Sequence, residues 1–197
     1  FSTLPKGNNS LNTFSTSASY VFTKHINADW LSFGKLRGSY AENPQGNIDL
    51  YSLTDVYDKN NPFGSNQIYS IPNRSTNPDL RPVKTTSKEI GLEMQFLNKR
   101  IGFDVSAYKS LSNDQIFPVD YSTATGNSSR YVNAGSVENK GIEFNIVSRN
   151  LTGKFKWTTT FNISANRNKV LALGLDSEAI IDGVAESNIT KVGYPIG

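Results

Sequence analysis

Lys88-Glu-Ile-Gly-Leu-Glu-Met-Gln-Phe96 and Ile101-Gly-Phe-Asp-Val-Ser-Ala-Tyr108 decide how this chain is read. In the first, Ile90, Leu92, Met94 and Phe96 alternate with Glu89, Gly91, Glu93 and Gln95. In the second, Ile101, Phe103, Val105 and Ala107 alternate with Gly102, Asp104, Ser106 and Tyr108. A period of two sends successive side chains to opposite faces of an extended strand. Each stretch is therefore a strand with one apolar and one polar face. The short connection Asn98 to Arg100 joins them as antiparallel neighbours.

The pattern recurs along the chain. In Thr13 to Thr23, Phe14, Ala18, Tyr20 and Phe22 oppose Thr13, Ser15, Ser17 and Ser19. In Leu31 to Tyr40, Leu36 and Tyr40 oppose Lys35, Arg37 and Ser39. In Lys140 to Ser148, Ile142, Phe144 and Ile146 oppose Gly141, Glu143 and Asn145. In Phe155 to Asn166, Phe155, Trp157, Phe161, Ile163 and Ala165 oppose Lys156, Thr158, Thr160, Asn162, Ser164 and Asn166. With Thr86 to Leu97 and Ile101 to Ser110 this makes six segments, an all-β antiparallel up-and-down meander. Each is about 9–12 residues long, against about 5–6 for soluble strands and about 9–11 for a tilted membrane strand.

The connections alternate in length. Lys24 to Trp30, Asn98 to Arg100 and Arg149 to Lys154 are short. Ala41 to Thr85, Leu111 to Asn139 and the tail after Arg167 are long. Short turns at one end and long loops at the other characterise outer-membrane barrels, with the turns periplasmic and the loops extracellular. Phe22, Trp30, Phe96, Phe103, Phe155 and Trp157 gather near the short turns, as an interfacial aromatic girdle would.

The polar face carries Lys35, Arg37, Glu89, Glu93, Asp104, Glu143 and Lys156. A Lys or Arg facing lipid at mid-depth costs about 2–4 kcal/mol, so these charges are expected to face a watery lumen. Gly91, Gly102 and Gly141 are expected to leave room there for a plug or a passing solute. Six strands do not close a membrane barrel, for which about eight are needed. Open edges in hydrocarbon cost several kcal/mol per unpaired backbone group. Further strands are therefore required, and residues 1–197 read as a partial barrel domain.

Composition narrows the function. The chain has 197 residues, 37% hydrophobic and 19% charged, with 22 Asn, 23 Ser and 15 Thr. Its longest apolar run is Val170 to Leu173, far short of the roughly 20 residues of a membrane helix. There is no cysteine, which removes disulfides and thiolate chemistry, and His25 is the one histidine. A net charge of +3 with no basic cluster among aromatics gives no footprint for nucleic acid. No cofactor or metal is expected. Asp55-Val-Tyr-Asp-Lys-Asn-Asn61 offers oxygen ligands but lacks the glycine and terminal glutamate of a calcium loop. His25 reads as a turn residue. The chain begins at Phe1 without a signal segment and reads as an excerpt of something longer.

Three functions fit these residues: the wall of a transporter, a barrel hydrolase, or a soluble β-sandwich binding module. Glu89, Glu93, Asp104 and Glu143 are available as paired carboxylates for hydrolysis. The preferred reading is a hydrated wall balanced by Lys35, Arg37 and Lys156, with no catalytic residue. Tyr51, Tyr57, Tyr69 and Arg74 in the second connection are candidate substrate contacts, since aromatic faces and guanidinium forks grip sugars and peptides.

Six stretches together carry a resemblance. They are Leu4-Pro-Lys-Gly-Asn-Asn-Ser10; Trp30-Leu-Ser-Phe-Gly-Lys-Leu-Arg37; Asn77-Pro-Asp-Leu-Arg-Pro82 with Glu89-Ile-Gly-Leu-Glu93; Asn133-Ala-Gly-Ser-Val-Glu-Asn-Lys-Gly-Ile-Glu143; Asn166-Arg-Asn-Lys-Val170; and Val192-Gly-Tyr-Pro-Ile-Gly197. In this order the chain resembles the SusC/RagA-type TonB-dependent outer-membrane transporters of Bacteroidetes. The resemblance implies a section of a 22-stranded transmembrane barrel that encloses a plug. It implies a SusD-like surface lipoprotein as lid, and import of oligosaccharide or peptide across outer-membrane lipid. Energy would come from TonB, contacted by a part of the parent chain absent here. Two departures occur: the family's Pro-Glu-Lys reads Pro82-Val-Lys84, and its Thr-Gly-Tyr reads Thr125-Gly-Asn127.

Overall fold

A computed structural model of the chain describes residues 3–26, 28–46, 48, 53–54, 56–120, 122–173, 179–182 and 188–196. Within them the strands are β1 (Phe14–Val21), β2 (Leu31–Gln45), β3 (Asp58–Lys59), β4 (Tyr69–Ser70), β5 (Arg74–Ser75), β6 (Val83–Phe96) and β7 (Ile101–Asn113). They continue as β8 (Ile116–Asp120), β9 (Ser129–Asn133), β10 (Ser136–Thr152), β11 (Lys156–Ala172), β12 (Ala179–Asp182) and β13 (Asn188–Lys191). Helical structure among the described residues is confined to single 3₁₀ turns at Phe22–Lys24 and Thr123–Thr125.

The six long strands form one sheet in the order β1-β2-β6-β7-β10-β11, every pair antiparallel. Register turns the alternation into continuous rows. Tyr20, Leu36, Leu92, Val105, Phe144 and Ile163 lie side by side across all six strands. The next row is Ala18, Gly38, Ile90, Ala107, Ile142 and Ala165. On the opposite face run Val21, Lys35, Glu93, Asp104, Asn145 and Asn162. A slip of one residue turns the polar face of a strand into the apolar row, bringing in Lys35 or Arg37 on β2, Glu93 on β6, Asp104 on β7 and Glu143 on β10, so the two-faced pattern fixes the register.

Among the described residues no second layer covers the apolar face. Ile90 is 58% exposed, and Phe161, Ile163, Ile142 and Tyr20 are likewise open. A soluble sandwich would bury these residues between two sheets about 10 Å apart. Apart from Leu31 beside a short turn, the buried hydrophobic side chains lie at the loop end instead: Leu4, Leu80 and Ala134, and a cluster of Val137, Val170 and Leu173 with Val192 packed on it. Aromatic rings link neighbouring strands toward the short turns. Trp30 stacks on Phe96 at 5.7 Å, Phe96 meets Phe103 at 5.6 Å, and Phe103 meets Phe144 at 6.2 Å.

The strands outrun the alternating segments, almost always toward the long loops. β2 continues to Gln45, β7 to Asn113 and β11 to Ala172, while β10 begins at Ser136. In these extensions both faces are largely polar, so periodicity vanishes while backbone pairing persists. Alternation reports where one face meets lipid, and the ladder extends past that level.

The short turns are tied together. Leu97 N–H donates to the Trp30 carbonyl at 3.1 Å, and Lys99 N–H to Ser32 Oγ at 3.2 Å. Arg100 donates to the Asn150 carbonyl at 2.8 Å, while Arg149 N–H donates to the Arg100 carbonyl at 2.8 Å. All three hairpin ends are thereby held level.

Candidate functional site

The polar face is a network of charges. Arg37 on β2 makes a two-pronged contact with Asp104 on β7, at 2.7 and 2.8 Å, reaching over the intervening β6. Its Nε lies 3.6 Å from Glu89. Lys35 pairs with Glu93 at 2.9 Å. Fork-to-carboxylate geometry is the strongest form of side-chain ion pairing. The reach of Arg37 across β6 is possible because Gly91 lies opposite it in register. A Cβ at Gly91 would meet the guanidinium at 2.5 Å.

This corrects one expectation. Gly91 and Gly141 do not leave open space: Arg37 fills the first, and the Tyr108 hydroxyl would lie 2.6 Å from a Cβ at the second. Side chains of the same sheet occupy the vacated volume, because a missing Cβ is the cheapest place to lay a long neighbour flat. Gly102 is looser, its nearest neighbour being Gln95 at 3.4 Å. A depression of about 280 Å³ lies on this face among Ser17, Ser19, Lys35, Arg37, Ser39 and Glu89. Glu143 and Lys156 share a polar side with these residues but make no ion pair among the described residues.

At the loop end two long connections interlock. β5 pairs in parallel with β9, which pairs antiparallel with β8. Asn77 donates to the Tyr131 carbonyl at 2.7 Å, and its own Oδ1 accepts from Asp79 N–H at 3.1 Å. Asn133 accepts from Arg81 N–H at 2.7 Å and donates to the carbonyls of Arg81 and Asp114 at 2.8 and 2.9 Å. Arg81 also pairs with Asp114 at 2.9 Å. The stretches Asn77 to Pro82 and Asn133 to Glu143, far apart in the chain, are thus direct partners. Val170 and the Val192-Gly193-Tyr194 segment are partners too, through Val170 N–H to the Tyr194 carbonyl and Gly193 N–H to the Val170 carbonyl, each 2.8 Å.

The candidate substrate residues separate. Tyr57 immediately precedes the β3–β4 hairpin and Tyr69 lies within it, paired with Lys59, and both rings are exposed. Phe63 at the tip, 78% exposed, was not singled out from the sequence although it is an apolar ring in a polar loop. Arg74 belongs to the other loop sheet: it donates to the Tyr131 hydroxyl at 2.7 Å and lies over the Tyr131 ring at 4.3 Å. Tyr51 lies outside the described residues, as does Asp55 of the calcium-like stretch. His25 has the Tyr20 hydroxyl 3.0 Å from its Nδ1 and stacks on that ring. No cluster of metal ligands occurs among the described residues.

Comparison with known proteins fits this geometry. A family profile described as TonB dependent receptor-like, beta-barrel matches residues 1–196. TonB-dependent receptor P26 of Formosa agariphila is 33% identical over 177 residues, which are 82% of this chain and 18% of that protein. TonB-dependent receptor SusC of Bacteroides thetaiotaomicron is 33% identical over 184 residues, 87% of this chain and 18% of that one. The chain therefore spans about a fifth of the length of these relatives. Among solved structures, the RagAB peptide transporter superposes with a TM-score of 0.88 at 23% identity, covering 98% of this chain and 22% of that one, a likeness that shows the fold. The chain belongs to the TonB-dependent receptor-like β-barrel family, and its six long strands are a section of an outer-membrane barrel of that kind.

Proposed function

We propose that this chain forms wall and extracellular loops of a TonB-dependent nutrient importer, with its polar face lining the lumen. One observation carries this reading: the sheet has membrane-length strands, an uncovered apolar face and a charged face on which Lys35, Arg37, Glu89, Glu93 and Asp104 pair with one another. Lys35, Arg37, Glu89, Glu93, Asp104, Glu143 and Lys156 give the lumen wall its hydration. Tyr57 and Tyr69, with Phe63, present rings at the mouth to an oligosaccharide or peptide. Arg74 braces Tyr131 and so shapes the mouth. A SusD-like lipoprotein would close over these loops, and TonB would act on a part of the importer outside this chain.

The hydrolase reading fares worse. A general acid needs a raised pKa or a partner poised for proton transfer. Asp104, Glu93 and Glu89 are instead engaged in ion pairs with Arg37 and Lys35, which occupies them as structural partners. The test is uptake of labelled oligosaccharides and peptides by cells carrying the complete receptor. Energy-dependent uptake is expected, lost with an uncoupler, reduced by Tyr57→Ala with Tyr69→Ala, and little changed by Glu93→Gln with Asp104→Asn. Recovery of the receptor in the soluble fraction, or uncoupler-insensitive uptake, overturns the proposal.

A further inference from the structure

We infer that the lipid-facing side of this sheet carries a binding surface for a phosphate-bearing lipid headgroup of the outer leaflet. The row next to Ile90, Ala107, Ile142 and Ala165, on the loop side and on the same face, is Thr16, Tyr40, Lys88, Lys109, Lys140 and Arg167. Four cations thus stand directly opposite one another on four consecutive strands. At a strand spacing of about 4.8 Å they span about 15 Å. Like charges placed opposite each other destabilise a sheet. The row is not explained by the sheet's own stability.

The row lies at headgroup height. Arg167 is ten residues along β11 from Trp157, a ring of the short-turn end. That is about 34 Å along the strand and about 26 Å along the membrane normal for a strand tilted by about 40°. An outer-membrane apolar band is about 25 Å tall. Arg167 therefore stands where the hydrocarbon ends, and Lys88, eight residues from Phe96 on its own strand, stands about 21 Å up by the same measure, within snorkelling reach of that level.

The sheet neutralises the row only in part. Lys84 and Lys169 extend it on the same face. Glu138 takes Lys109 at 2.6 Å and Lys140 at 3.2 Å, and Glu42 takes Lys84 at 2.6 Å. Six cations thus face two carboxylates. Arg167 has no carboxylate partner among the described residues, and Lys88 has only the Tyr40 ring, 5.8 Å away. Lys84, Lys109 and Lys140 keep more than half of their side chains exposed despite their partners. Below the row, Gly38, Ala107 and Ala165 alternate with Ile90 and Ile142. Small residues between large ones make notches just below the cations, and the row beneath them, Leu36, Leu92, Val105, Phe144 and Ile163, is apolar throughout, as acyl chains require. A phosphate above and acyl chains below is the chemistry of one anionic lipid. A soluble anion would use only the upper half.

The test uses the complete receptor in phosphatidylcholine nanodiscs, doped with lipid A or with dephosphorylated lipid A, and separately with inorganic phosphate in the buffer. Lipid A is expected to raise the thermal midpoint and to remain bound through purification. Lys88→Gln, Lys109→Gln, Lys140→Gln and Arg167→Gln together should cut retained lipid A at least about tenfold, from roughly fivefold per cation near an anionic surface. Lys24→Gln with Lys154→Gln, at the short turns, should leave it unchanged. If the fourfold variant does not assemble, Lys88→Gln with Arg167→Gln is measured instead. That pair breaks no ion pair and should still lose severalfold. Equal retention by wild type and variant, equal binding of the dephosphorylated lipid, or the same protection by inorganic phosphate overturns the inference.

Discussion

Phe144 and Asn145 are neighbours on β10 that face opposite sides, and a lysine at each tests the orientation of the whole sheet. Phe144 lies in the row of Leu92, Val105 and Ile163. Ile163 is six residues from Trp157, about 20 Å along the strand and about 15 Å along the normal. Arg167, on the same strand as Ile163, is about 26 Å up, so Phe144 sits near mid-depth. A lysine there should cost about 2–4 kcal/mol, a factor of roughly 30 to 900 in the folded-to-unfolded ratio. The stacking of Phe144 against Phe103 is lost in addition. Asn145 is opposite Asp104 in register, so Asn145→Lys places its ammonium near a carboxylate in the hydrated interior. That change should stay within about 0.5 kcal/mol, as for an ordinary surface substitution. Urea unfolding of the complete receptor in lipid vesicles, followed by heat-modifiable gel mobility, reads both. Equal effects, or a larger one at Asn145, would refute the assignment of faces.

Two further outcomes follow from the packing. Gly91→Ala should destabilise by about 1–3 kcal/mol because Arg37 is pinned over it by Asp104, and the loss should shrink in an Arg37→Ala background, a coupling read by a double-mutant cycle. Asn133→Ala removes two hydrogen bonds to Arg81 across the interlocked loops and one to Asp114 within its own, and should make the 114–135 connection more sensitive to limited proteolysis, with barrel unfolding unchanged.

Ion pairs on the polar face explain why its carboxylates read ambiguously from the sequence. Glu89, Glu93 and Asp104 lie on two strands, and sequence alone favours a hydrated wall over a catalytic pair without showing which cation each one meets. What decides between these is Arg37 lying across β6 to Asp104, which depends on β2 and β7 flanking β6 and on Gly91 opposite Arg37. The same holds for the loops. Asn77 and Asn133 are legible as motif residues, yet their roles as each other's supports appear only when 114–135 folds onto 72–82.

Strand existence, the identity of the two faces and the short and long ends were legible in the chain because a period of two is local: each residue's face is set by its immediate neighbours. The limits of the strands were not, since alternation stops where lipid stops and pairing does not. Nor was the cationic row. Lys88, Lys109, Lys140 and Arg167 are scattered singly along the sequence and become one surface only through register across four strands. Register is a relation between distant segments, fixed by burying one whole face against lipid, and so it belongs to the tertiary structure.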